Sequence, residues 1–193
     1  MSRRKCALVL KLLSATLLLF ADVSPALANT LRHGPSTYIT NRYSGLMADF
    51  SIRPSCYIPD DATCPNGTPI VLGRPGQRAI FSFHLVGGQG YEIRWFGDYC
   101  LDVAGFGTNN GAKVILWQCT GNTNQRWMPQ IFEDGDPNAK ILMGIHSGKC
   151  LDADNPAFTS GRVPGPGALL QVWDCVPDTE AGNLANQDWA FQW

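Results

Sequence analysis

The chain has 193 residues and a formal net charge of −1, and only 16% of its residues are charged. Average globular proteins carry about 25% charged residues, so uncharged polar groups and turns must cover much of this surface. The charge balance argues against an electrostatic nucleic-acid binder, because phosphate binding depends on clustered Lys and Arg. The length fits one domain or two very small ones, and 20 Gly and 13 Pro disfavour long amphipathic helices.

Residues 1–28 have the pattern of a secretory signal peptide. A basic start at residues 3–5 is followed by an apolar stretch at 7–20, and Ala26, Leu27 and Ala28 give the small-x-small pattern that signal peptidase reads. The alternative is a membrane anchor, but this short stretch contains a lysine and cannot cross roughly 30 Å of hydrocarbon. We therefore expect cleavage near Ala28, no membrane span, and a secreted, periplasmic or extracellular mature protein.

Three short motifs occur twice in the same order. Cys100, Leu101 and Asp102 recur as Cys150, Leu151 and Asp152; Leu116, Trp117, Gln118 and Cys119 as Val172, Trp173, Asp174 and Cys175; and Asn124, Gln125, Arg126 and Trp127 as Asn186, Gln187, Asp188 and Trp189. A degenerate copy lies upstream, with Asp49 opposite Asp152 and Phe81 in the place of Trp127. The repetition predicts a single domain at 29–193, with three repeats of about 50 residues at about 38–86, 91–138 and 140–193.

Each repeat reads as short strands separated by turns. Residues 91–95, 113–117, 140–145 and 169–173 are apolar, partly β-branched runs bounded by Gly, Asn, Asp or Pro. A β-propeller is disfavoured because three blades are fewer than the usual four to eight. The sequence therefore predicts an all-β protein with the β-trefoil architecture, in which the first repeat is degenerate.

The repeats also predict how the cysteines pair. Six cysteines remain once Cys6 leaves with the signal peptide, and an even number in an exported protein indicates disulfides. Matching positions in two repeats predict the bridges Cys100–Cys119 and Cys150–Cys175, each worth about 3 kcal/mol in the chain-entropy model. Cys56 and Cys64 lie close together in an insertion of the first repeat, and we expect them to pair there.

These motifs together resemble the ricin B-chain type of lectin, a trefoil that also serves as a carbohydrate-binding module in secreted glycosidases. The resemblance is strong over residues 91–193 and weak over 38–86. It implies a shallow sugar site in each of the two intact repeats. By position, the implied sugar-binding residues are Asp102, Trp117, Asn124 and Gln125 in the second repeat and Asp152, Gln171, Trp173, Asn186 and Gln187 in the third.

The chemistry of these residue types suits a neutral sugar. A carboxylate accepts strong charge-assisted hydrogen bonds from hydroxyls, an aromatic ring offers a flat apolar platform to the C–H face of a pyranose, and Asn both donates and accepts. Alternatives stay open: the aspartates as turn residues, Gln125 and Gln187 as supports of the local backbone, and Trp117 and Trp173 as strand packing. Trp127 and Trp189 are expected in the core, and Trp95 and Trp193 in strand packing.

The repeats also depart from the family pattern. Ile115 stands where the third repeat has Gln171, so the second site lacks one polar contact and is expected to be weaker. The third repeat has longer loops, and its Pro- and Gly-rich stretch at 164–167 is expected to reshape or wall its pocket. In the first repeat Gly73 replaces the aromatic platform, so we expect no sugar binding there despite Asp49.

No catalytic, metal or cofactor site is expected. His33, His84 and His146 fall in no nucleophile motif. The acidic turn of Glu133, Asp134 and Asp136 fails as a calcium loop, because the twelfth position from Asp134 is Ile145 instead of Glu. No zinc-ligand spacing remains once the cysteines are assigned to bridges.

The sequence therefore predicts a secreted, non-enzymatic carbohydrate-binding protein with two sugar sites for galactose-type or related glycans. A different class stays open, a trefoil that binds proteins, such as a toxin cell-binding subunit or a protease inhibitor. In a third interpretation, the protein is a module that binds polysaccharide for a separate hydrolase. The expected partners are glycans, with a toxin or hydrolase chain as a possible further partner, and no nucleic acid.

Overall fold

The computed structural model describes residues 33–51, 66–76, 78–131, 140–154, 163–176 and 184–191. The expected signal peptide, the Cys56–Cys64 pair, the acidic turn at 133–136 and Trp193 lie outside these ranges. Within them, no helix is long and apolar enough to cross a membrane.

The described residues form thirteen strands and a few single-turn 3-10 helices, as an all-β prediction requires. The strands lie close to the predicted runs. The run at 91–95 is matched in full, and each end of the other three runs lies within one residue of the end of the corresponding strand. The first barrel strand starts at His33, ahead of residue 38. The strands are β1 His33–Thr37, β2 Thr40–Asn41, β3 Ala48–Phe50, β4 Thr68–Leu72, β5 Phe81–Leu85, β6 Tyr91–Trp95, β7 Tyr99–Val103, β8 Ala112–Gln118, β9 Arg126–Ile131, β10 Lys140–Gly144, β11 Cys150–Ala153, β12 Leu170–Trp173 and β13 Trp189–Ala190.

Seven of these strands close into a barrel through antiparallel pairings. β1 pairs with β5, β5 with β6, β6 with β9, β9 with β10, β10 with β13, and β13 with β2. β1 and β2 are consecutive stretches of one chain segment, so together they close the ring. Each repeat supplies two barrel strands, and full closure leaves no exposed sheet edge in the barrel.

The remaining strands form three hairpins, β3–β4, β7–β8 and β11–β12, one from each repeat. β8 pairs with both β4 and β12, and a bridge joins Val71 to Leu169, so the three hairpins contact one another. Asp49 pairs with Val71, Asp102 with Ile115, and Asp152 with Gln171. The three aspartates therefore occupy equivalent positions, as the repeat alignment predicts.

The core is built from equivalent large side chains. Trp127, Trp189 and Phe81 are fully buried, and Trp95 is almost so, which confirms their predicted packing roles. Burying an indole also buries its N–H, which then needs an acceptor. Trp127 Nε1 donates to the Leu101 carbonyl oxygen at 3.0 Å, and Trp189 Nε1 donates to the Leu151 carbonyl oxygen at 2.9 Å.

Two of the three predicted disulfides lie within the described residues, and both are confirmed. Cys100 bonds Cys119, and Cys150 bonds Cys175. Each bridge ties the first strand of a hairpin to the segment that follows the second strand, two residues beyond Trp117 or Trp173. The bridges therefore fix the ends of the hairpins that carry Trp117 and Trp173.

Candidate functional site

In the second repeat, two amide side chains hold one oxygen of Asp102. Asn124 Nδ2 and Gln125 Nε2 donate to Asp102 Oδ2 at 2.9 Å and 2.8 Å. Among the described residues, no group donates to Asp102 Oδ1, and Asp102 lines an open pocket. Asn124 lines the same pocket, and its Oδ1 is buried without a hydrogen-bond partner in the described part of the chain. Asp102 Oδ1 is therefore the unused acceptor that is open to a ligand in this pocket.

The pocket around Asp102 has a volume of roughly 260 Å³. Trp117 lines it with 39% of its surface exposed, as a platform for a ligand requires. Phe106, which sequence reasoning missed, adds a second exposed ring, and Ile115 supplies an aliphatic surface. The wall is completed by Gly105, Thr120 and Asn122. The pocket therefore combines aromatic and aliphatic walls with a carboxylate at one end.

In the third repeat, amides hold both oxygens of the equivalent carboxylate. Gln171 Nε2 donates to Asp152 Oδ1 at 2.9 Å, while Asn186 Nδ2 and Gln187 Nε2 donate to Asp152 Oδ2 at 2.6 Å and 3.0 Å. Trp173 is exposed, at 44% of its surface. All five predicted residues of this repeat are thus near one another, but a ligand must displace or share an amide to reach Asp152.

The two repeats differ here because of one position. Ile115 carries no amide, so it leaves Asp102 Oδ1 open, whereas Gln171 covers the equivalent oxygen of Asp152. The expected weakness of the second site stays a prediction. The missing glutamine also has an effect in the opposite direction, because no amide at position 115 competes with a ligand for Asp102 Oδ1.

Gln125 and Gln187 support the local backbone. Both are fully buried. Gln125 Nε2 also donates to the Gln118 carbonyl oxygen at 3.0 Å, and its Oε1 accepts from the Thr120 N–H at 2.7 Å. Gln187 makes the equivalent bonds with the Asp174 carbonyl and the Val176 N–H. Their geometry fits the alternative in which they support the local backbone. They influence a ligand through the aspartate to which they donate a hydrogen bond.

The first repeat lacks this arrangement. Asp49 is buried in a pocket of roughly 330 Å³, but Gly73 pairs with Met47 where the platform tryptophan would stand. Ala79 lies two residues before Phe81, as Gln125 does before Trp127, and offers no amide side chain. Absence of sugar binding here stays a prediction.

The Pro- and Gly-rich stretch of the third repeat lies against the first repeat. Pro166 and Gly167 line the pocket that contains Asp49, and the Gly167 N–H donates to the Leu72 carbonyl oxygen at 2.7 Å. The sequence predicts that this stretch reshapes or walls the third-repeat pocket. For Pro166 and Gly167 that prediction is wrong, because they line the first-repeat pocket instead. The threefold packing of the hairpins carries each loop onto a neighbouring repeat.

Asn-Gly turns from one repeat support the exposed tryptophan of the next. Asn66 Oδ1 accepts from the Gln118 N–H at 2.8 Å, and Asn110 Oδ1 accepts from the Asp174 N–H at 3.0 Å. The adjoining glycines have positive φ, and a Cβ on Gly67 would lie 3.8 Å from the Trp117 ring. Sequence alignment pairs the two turns without indicating their role, because the contact crosses between repeats.

Burial changes the acidity of both aspartates. It raises the pKa of Asp152 from its ordinary 3.8 to about 6, while hydrogen bonds from Gln171 and Gln187 act in the opposite direction. Burial likewise raises the pKa of Asp102, against the hydrogen bonds from Gln125 and Asn124. Removing a carboxylate from water disfavours its charged form, which is the dominant effect in both repeats.

Asp152 should make the protein less stable as the pH rises. Because its folded pKa of about 6 exceeds its unfolded value, the folded protein binds the proton more tightly, and this advantage is lost as the pH rises through about 6. We expect a decrease in unfolding free energy of about 2 kcal/mol between pH ~4 and ~7. Urea unfolding across this range should show it. Asp152→Asn should flatten the slope, and the exposed Asp174→Asn should not; equal slopes for all three proteins would contradict the assignment.

Other titratable groups form contacts outside the two pockets. His84 Nε2 lies 2.8 Å from Ser82 Oγ, but neither residue lines a described pocket. His146 Nε2 donates to the Gly107 carbonyl oxygen at 3.0 Å. Glu92 lies near Cys100 and Cys119, yet both sulfurs are already joined in a disulfide. This grouping is therefore unsuited to hold a metal.

The chain is similar to known proteins in both sequence and structure. Residues 79–173 match the family described as ricin-type β-trefoil lectin domain-like. A probable lipoprotein EnvE of Salmonella typhimurium is 39% identical over 85 residues, or 44% of this chain and 41% of that protein. A seed lectin of Trichosanthes anguina is 33% identical over 76 residues, or 39% of this chain and 11% of the lectin. The designed threefold-symmetric protein ThreeFoil has a TM-score of 0.60 at 22% identity, covering 81% of this chain and 96% of ThreeFoil.

Residues 79–173 therefore match the ricin-type β-trefoil lectin-like family, and the chain shares the β-trefoil fold of ThreeFoil. The resemblance to ricin B-chain lectins and the trefoil prediction are both confirmed. The matched segment spans less than half the length of either curated relative.

Proposed function

We propose that the protein is a non-enzymatic carbohydrate-binding protein whose best-formed sugar site lies in the second repeat. The observation that carries this proposal is the pocket in which an exposed Trp117 ring and the open Asp102 Oδ1 meet. A sugar ring on the indole can direct a hydroxyl to the carboxylate. Galactose-type or related glycans are the expected ligands, as the family resemblance implies.

The third repeat is proposed as a second, conditional site. It has the same platform and carboxylate, but Gln171 occupies Asp152 Oδ1. A hydroxyl that replaces this amide gains little net free energy, because one hydrogen bond is exchanged for another. Two such sites on one rigid body would increase avidity for a surface dense in glycans.

An extracellular or cell-envelope location is part of the proposal. The signal-peptide pattern of residues 1–28 and the relative named as a probable lipoprotein both support it. A toxin or hydrolase chain as a partner remains a prediction from the resemblance. Protein binding alone is distinguished by competition, since millimolar free sugar displaces a lectin from cells and leaves a protein–protein contact intact.

Trp117→Ala should lower glycan affinity at the second repeat by at least about tenfold, because the sugar loses its apolar platform. Trp173→Ala should have a smaller effect. A glycan array with the full-length mature protein, followed by titration of the best ligand, measures both. Tyr43→Ala removes an exposed ring outside the described pockets and serves as the matched control. Unchanged binding by the Trp117, Trp173 double variant would refute the proposed sites.

A further inference from the structure

The second-repeat pocket has apolar lining besides its platform. Trp117 forms one wall, and Phe106 and Ile115 line the pocket with it. Asp102 Oδ1 supplies the unused acceptor described above. A sugar in this pocket therefore has hydrocarbon as well as a carboxylate within the lining.

Phe106 is held in the pocket wall by a conformation that phenylalanine rarely adopts. Its φ is +54°, in the left-handed region, and its ring is 51% exposed. The turn is fixed by the Gly107 N–H, which donates to the Ala104 carbonyl oxygen at 3.1 Å, and by His146, which donates to the Gly107 carbonyl. The His146 ring also packs edge-on against Phe106, with centroids 6.1 Å apart. A strained, exposed apolar side chain at a pocket is typical of a functional contact.

Ile115 makes the adjoining surface aliphatic at a position where the third repeat is polar. Ile115 faces Asp102 across β7 and β8, as Gln171 faces Asp152 across β11 and β12. A sugar hydroxyl directed at Ile115 and Phe106 would lose water without gaining a partner, which is unfavourable. A methyl group in the same place would gain apolar burial.

We infer that the second-repeat pocket selects saccharides that present a methyl group on the edge facing Phe106 and Ile115. This rests on the proposed function and adds to it the chemical class of the preferred sugar. The methyl group can belong to an acetamido substituent or to a deoxy sugar. Phe106 and Ile115 are then specificity-determining residues, while Trp117 and Asp102 bind the ring common to all ligands.

The test uses matched pairs of sugars on the full-length mature protein carrying Trp173→Ala, so that the second repeat alone is measured. One pair is a hexose and its 2-acetamido derivative, and the other is a hexose and its 6-deoxy derivative; calorimetric titration gives each affinity. Ile115→Gln places the third-repeat residue in the second repeat, and Phe106→Ser removes the second ring. Phe96→Ser is the matched control, because Phe96 is also exposed with positive φ but does not line this pocket.

We expect the methyl-bearing member of at least one pair to bind about tenfold more tightly, as one methyl in an apolar pocket allows. Ile115→Gln and Phe106→Ser should each reduce this ratio severalfold, and Phe96→Ser should leave the ratio unchanged. Ile115→Gln should also weaken the plain hexose, because the new amide can cover Asp102 Oδ1 as Gln171 covers Asp152 Oδ1. The pair that shows the effect identifies the source of the methyl group. Equal affinities within both pairs would overturn the inference and leave the lectin proposal standing, whereas no binding of any sugar would overturn both.

Discussion

Replacing Asp102 by asparagine should weaken glycan binding at the second repeat by roughly 10- to 100-fold while the fold is retained. Asn is the same size as Asp, and its side-chain oxygen can still accept from Asn124 and Gln125. What is lost is the charged Oδ1 that faces the pocket, and a hydrogen bond to a charged group contributes about 1.5–3 kcal/mol. Titration of the variant with the best array ligand, beside a urea unfolding curve, separates lost binding from lost stability.

Two equivalent substitutions provide the controls for Asp102→Asn. Asp49→Asn changes the same position in the first repeat, where Gly73 replaces the platform, and should leave binding unchanged. Asp152→Asn should have a smaller effect than Asp102→Asn, because Gln171 already occupies one oxygen of Asp152. If the Asp102, Asp152 double variant binds as the wild type does, the proposed sites are wrong.

The fold was predictable because the repeats place chemically dependent residues at fixed spacing. Gln125 holds the carboxylate of Asp102, and Trp127, two residues later, donates to the carbonyl of Leu101, immediately before that aspartate. The Cys-Leu-Asp and Gln-x-Trp motifs are therefore two halves of one hydrogen-bonded unit. A sequence that keeps both motifs in register in two repeats specifies the hairpin, the core tryptophan and the disulfide together.

The features that were not predicted arise from contacts between repeats. The ring of Phe106 packs against His146, which belongs to the third repeat, and the Asn66 turn of the first repeat supports Trp117 in the second. Local patterns cannot indicate such contacts, because they depend on how the three hairpins pack. Ile115 shows the same limit: by alignment it is a lost polar contact, but in three dimensions it also uncovers a carboxylate oxygen.

Trp127→Ala should reduce the unfolding free energy by about 3–5 kcal/mol, the usual cost of deleting a buried aromatic side chain. Trp127 is fully buried, and its Nε1 satisfies the Leu101 carbonyl. Because domains are stable by only about 5–15 kcal/mol, this loss is a large fraction of the total stability. Denaturant titration of the protein is the measurement.

Comparison of Trp127→Ala with two other variants separates core packing from ligand contact. Trp127→Phe reproduces the residue at the first-repeat position, Phe81, so it keeps a buried ring and loses the bond to Leu101; it should cost about 1–3 kcal/mol. Trp117→Ala removes an indole that is already 39% exposed and should cost less stability than Trp127→Ala. An order of stability in which Trp117→Ala is the most damaging would contradict the division of tryptophans into core and platform. The expected order follows from how exposed each tryptophan is. Trp127→Ala should cost more stability than Trp117→Ala, whereas Trp117→Ala should cost more glycan affinity.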